Sequence, residues 1–81
     1  MESITSEREL TYGEKAVGLT FNPSGDAKVQ EVKELYAKII DLCNDLRTEA
    51  GQGEKGRHLS VAITDAETAQ MRAVKGITYK F

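Results

Sequence analysis

The sequence predicts an all-α fold, an antiparallel hairpin of two long helices preceded by a short one, and it predicts that this hairpin oligomerises. Three observations carry the prediction. Apolar residues recur at steps of three and four along two long stretches, and a glycine-rich turn separates those stretches. The third is that the chain lacks both the size and the staples to cover both apolar stripes by itself. Its 81 residues make a single domain, spanning 1–81, and a chain this short buries only about 60% of its unfolded surface. The single cysteine, Cys43, cannot form an intrachain disulfide, and no Cys/His spacing suggests zinc. Assembly with further copies is the remaining source of stability.

Taken in order, residues 1–10 begin acidic and are expected to fray. Ser6 and Glu9 are spaced as a capping box, and Gly13 and Gly18 limit how far a regular helix can run. A short helix follows within Tyr12-Gly13-Glu14-Lys15-Ala16-Val17-Gly18-Leu19, docking through Ala16, Val17 and Leu19. Tyr12 sits just before it. A tyrosine at such a boundary either packs on its own domain or a neighbouring copy, or stacks on the base of a ligand. The segment Phe21-Asn22-Pro23-Ser24-Gly25-Asp26-Ala27-Lys28 is a turn-rich loop running straight into the longest periodic stretch. Its proline, glycine and Ser24/Asp26 pair set a sharp helix start, whose first amides together with Lys28 make a seat for an anion.

From Asp26 to Ala50 an amphipathic helix of about 37 Å is expected. Its stripe consists of Val29, Val32, Leu35, Tyr36, Ile39, Leu42, Cys43 and Leu46, with Ile40 off the stripe and facing a second surface. Gly51-Gln52-Gly53 stops this helix, and Glu54-Lys55-Gly56 is expected to complete a flexible turn. The last helix is expected from about Arg57 to Thr78, with Leu59, Ala62, Ile63, Ala66, Ala69, Ala73, Val74 and Ile77 on one side. Two long helices joined by so short a turn lie antiparallel.

Charge narrows the function. Lys and Arg number 11 against 13 Asp and Glu, a formal net charge of -2, which disfavours DNA or RNA polymers as partners. No apolar run is long enough to span a membrane, and the start lacks the pattern of a secretion signal, so the expected location is the cytoplasm. Asp41, Asp45 and Glu49 repeat at intervals of four on the first long helix. They read as a solvated face, compensated by Lys55 and Arg57 across the hairpin, or alternatively as a divalent-metal site. Cys43 lies on the apolar stripe and reads as core, and His58 at a helix start reads as a surface contact. No nucleophile constellation is present, and no cofactor is implied. Glu31 and Glu34 have the spacing that magnesium-dependent nucleotide hydrolases use, but the matching acidic pair is missing from the last helix. That hydrolase and a helical protein–protein adaptor are the competing classes.

Three blocks carry a resemblance: Tyr12 to Gly18, Phe21 to Gly25, and above all Leu59-Ser60-Val61-Ala62-Ile63-Thr64-Asp65-Ala66-Glu67-Thr68-Ala69-Gln70-Met71-Arg72-Ala73-Val74-Lys75. Over roughly residues 10–80 the chain resembles the phage anti-CBASS cyclic-oligonucleotide sponges, whose helical hairpin is similar to that of the anti-Thoeris sponges. The resemblance implies a non-enzymatic protein that assembles as a hexamer in the host cytoplasm. It implies capture of cyclic dinucleotides, cGAMP among them, before the bacterial effector responds. Tyr12 and Lys28 match the aromatic and the lysine that serve the dinucleotide pocket, with Asn22 and Gly25 in the same loop. Arg57 matches an arginine that lines a separate cyclic trinucleotide site on a threefold axis; its alternative, pairing with Asp45 or Glu49, stays open. Arg72 and Gly76 depart from the aromatic and the alanine expected at their positions.

Overall fold

The computed structural model describes residues 9–80. It contains α1 (Tyr12–Ala16), α2 (Ala27–Ala50) and α3 (Glu54–Ile77), with no strand among the described residues. Ser6 and most of the expected frayed start lie outside the described residues.

Among the described residues, α1 is capped by a box of its own. Thr11 Oγ1 accepts from the Glu14 amide at 3.1 Å, and the Thr11 amide donates to Glu14 Oε1 at 2.9 Å. The helix stops at Ala16, and Val17 continues in a turn that closes at Gly18, whose φ of 63° suits a residue without a side chain. Tyr12 is therefore the first residue of α1 and does not precede it.

α2 starts at Asp26, whose carboxylate accepts from the Lys28 amide at 2.7 Å, and ends at Gly51, whose amide reaches Arg47 O. Three residues connect α2 to α3. The expected turn residues Glu54, Lys55 and Gly56 are helical, so the connection is shorter than the glycine spacing suggested. Gly56 explains why: a Cβ there would stand 2.3 Å from Gly51 O, so the helix start folds directly over the α2 terminus.

The core is small and lies where α1, α2 and α3 meet. It consists of Val17, Ala37, Ile40, Ile63 and Ala66, with Tyr36 and Cys43 packed against it. The expected α2 stripe holds at Val29, which is 1% exposed, and is corrected beyond it. Ile40 is 0% exposed, whereas Leu35, Ile39, Leu42 and Leu46 face outward, Leu42 at 60%. α2 has two apolar faces on largely opposite sides of the helix, and the face carrying the smaller residues folds inward. The reason is α1: Gly13 sits so close to α2 that a Cβ would lie 2.1 Å from Ala37 O. Only a residue without a side chain at position 13 permits that approach. On α3, Ile63 and Ala66 turn inward as expected, but Ala62 and Ala69 are exposed. The principal extents are 42 × 41 × 12 Å, so the molecule is a sheet of helices one helix thick.

Candidate functional site

Tyr12 occupies the first turn of α1, where the capping box holds its backbone. The Arg47 guanidinium lies 5.4 Å from the centre of its ring, within cation–π range. Arg47 is itself fixed, donating through Nε to Asn44 Oδ1 at 2.9 Å and through a terminal nitrogen to Ser60 Oγ at 3.1 Å. One arginine on α2 thus backs the tyrosine of α1 and reaches α3. The ring remains 45% exposed, which leaves it surface for a second planar partner.

Beside the Tyr12 anchor, the Gly13 amide donates to Asp41 Oδ1 at 2.7 Å. Asp41 is consequently no member of a merely solvated acidic row; it clamps α1 to α2. Arg57 does not compensate that row either. Its guanidinium pairs with Glu54 Oε1 at 2.9 Å within the same turn, and that hydrogen bond raises its pKa above the ordinary value. The expected pairing with Asp45 or Glu49 is replaced by this local one. Arg57 and His58 are both exposed, His58 standing 3.4 Å from the same carboxylate.

The loop between α1 and α2 is built from its own polar groups. Asn22 Nδ2 donates to Asp26 O at 3.1 Å, Ser24 Oγ donates to Asn22 Oδ1 at 2.7 Å, and the Asp26 amide donates to Ser24 Oγ at 3.1 Å. Gly25, at φ 69°, closes the turn through its amide to Asn22 O. Both ends of the Asn22 amide are engaged in shaping the loop. Lys28 follows, its side chain exposed and its Nζ 3.2 Å from Glu31 Oε1. The anion seat therefore differs from the expected one in one respect, because Asp26 already occupies the Lys28 amide and leaves the lysine side chain as the available cation. Glu31 is tied to that lysine, and among the described residues no three His, Cys, Asp or Glu side chains gather as metal ligands. No described helix is long and apolar enough to cross a membrane.

A groove of about 680 Å³ opens between this loop, α2 and the last turns of α3. Lys15, Phe21, Lys33, Gln70, Met71 and Val74 are among its walls, and no acidic side chain lines it. Of the expected ligand residues, Asn22 lines the groove, while Tyr12, Gly25, Lys28 and Arg57 do not. Lys33 is 6% exposed. Its ammonium donates to Gly18 O at 2.9 Å and to Phe21 O, beneath the Phe21 ring at 5.6 Å. Burial lowers its pKa. Lys33, Arg47 and Gln70 were not picked out from the sequence. The spacing held a signal, since Lys33 lies four residues from both Val29 and Ala37, and Gln70 four from Ala66 and from Val74, on the inward lines.

With the geometry in place, the chain can be set beside known proteins. The family model described as "Acb2/Tad1, hairpin domain" matches residues 14–78. No curated protein matches, and no solved structure does.

Proposed function

The chain belongs to the Acb2/Tad1 hairpin-domain family of anti-CBASS and anti-Thoeris sponges, and from this premise we propose that it binds cyclic dinucleotide messengers of bacterial CBASS defence and sequesters them uncleaved. The family match over 14–78 is the observation that carries this reading. Physical support comes from the shape and from the two expected ligand residues. A layer one helix thick with Leu35, Ile39, Leu42 and Leu46 outward needs further copies to cover it, and the family resemblance supports a hexamer as that assembly. A cyclic dinucleotide has near-twofold symmetry, so a twofold pair of copies offers it Tyr12 and Lys28 twice. The exposed Tyr12 ring supplies stacking and the Lys28 ammonium supplies a phosphate contact. Arg57, exposed at the start of α3, is the corresponding residue for a cyclic trinucleotide site. The protein acts in the host cytoplasm, where the messengers are made, and takes neither nucleic-acid polymers nor membranes as partners.

The test is to incubate the protein with cyclic dinucleotide, remove free ligand, denature the protein and identify what is released. Intact ligand is the expected result. A cleaved product would instead establish a hydrolase, and no retained ligand would leave the hairpin as a protein adaptor; either outcome overturns the sponge reading.

A further inference from the structure

We propose that the groove between the α1–α2 loop and the end of α3 is a purine-reading pocket in which Gln70 recognises the edge of an adenine. The proposal rests on the sponge reading for its ligand class and places an adenine nucleotide at a site apart from Tyr12 and Lys28, which do not line the groove.

Four observations converge. Gln70 is 4% exposed, and its side chain has no hydrogen-bond partner among the described residues. Buried polar groups in folded proteins are nearly always paired, so a side-chain amide at this depth calls for a partner from outside the chain. The groove it lines holds about 680 Å³, inside the range of roughly 300–1,000 Å³ typical of small-molecule sites. Lys15 and Lys33 line it and no acidic side chain does, in a chain whose net charge is -2; the pocket is locally suited to an anion. Lys33 spends two of its three protons on Gly18 O and Phe21 O, which leaves the third. Finally, Phe21 and Met71 stand exposed on its walls, giving apolar surface for the face of a planar ring. A small anion carrying a flat heteroaromatic ring is a nucleotide. A glutamine amide presents an acceptor and a donor side by side, which matches the N6 amino group and N7 of adenine.

The experiment measures equilibrium binding of 5′-AMP and of its 7-deazaadenine analogue, which lacks the N7 acceptor, to the wild type and to Gln70→Met. Methionine keeps the length and removes the buried amide, so the variant is expected to fold. The wild type should lose about tenfold in affinity on removal of N7, and Gln70→Met should bind both ligands equally. If both proteins show the same ratio, Gln70 does not read the base, and the sponge reading is untouched. A second arm titrates 5′-AMP into isotopically labelled protein and follows the Gln70 side-chain amide resonance, which should shift. A shift in protein that retains no cyclic dinucleotide would sink the sponge reading while the pocket stands. An amide that stays still at saturating 5′-AMP, or moves only when the protein is diluted, would mean the groove is empty or filled by another copy, and overturns the pocket.

Discussion

At Tyr12 the guanidinium of Arg47 backs the ring, and at Lys28 a single exposed carboxylate, Glu31, competes for the ammonium. The two residues should therefore fail in different ways. On the proposed function, Tyr12→Ala should remove a stacking contact of about 1–3 kcal/mol per base, or about 2–6 kcal/mol where one ligand uses the ring twice. Lys28→Ala should cost less as salt rises, because screening weakens exposed charge pairs and spares stacking. Binding isotherms collected across ionic strength check this; equal salt dependence in the two variants would contradict it. Lys33 has a different signature. Burial holds its amine below the ordinary value of 10.5, so between those two values the unfolded chain binds more protons than the folded one. Stability should then rise with pH across that alkaline window. Below the window both states are protonated and the cost of burying the charge is felt in full. Urea unfolding of the wild type beside Lys33→Met should show the wild type gaining relative stability as pH approaches 10.5, and a pH-independent difference would refute the assignment.

The helices raise the question of which face turns inward. Ile40→Ala should cost about 2–5 kcal/mol, the range for truncating a buried side chain, measurable as a lowered urea midpoint. Leu42→Ser should leave the helical content of the hairpin intact and reduce its assembly, read by sedimentation; an unchanged sedimentation coefficient would place the interface elsewhere. The existence of both long helices was legible from their three-and-four spacing, and the hairpin from the glycines between them. The choice of face was not. Periodicity ranks faces by apolar bulk, which favours Leu35, Ile39, Leu42 and Leu46, whereas the fold selects the face that lets Gly13 reach Ala37. That selection depends on a contact between residues far apart in sequence, which local spacing does not encode. Similarly, Tyr12 and Lys28 were legible as loop-and-helix-start residues. The partners Arg47, Asp41 and Glu31 that set their surroundings emerge only when the elements pack.

The whole molecule has a radius of gyration of 14.5 Å, against about 12 Å for a compact domain of this length. Its extra reach comes from being flat, and flatness limits what one copy can protect. In a layer 12 Å thick, few backbone amides lie far from solvent, and the buried cluster centres on Ile40 and Ile63. Amide hydrogen exchange reports the free energy of the opening that exposes each site, so an isolated layer should show slow exchange only around that cluster. Slow amides beyond it, along the Leu35 to Leu46 side of α2, would owe their protection to neighbouring copies and would vanish on dissociation. The thinness of the fold thus turns a deuterium-uptake map into a direct footprint of the assembly, with little of the single copy's own interior to subtract.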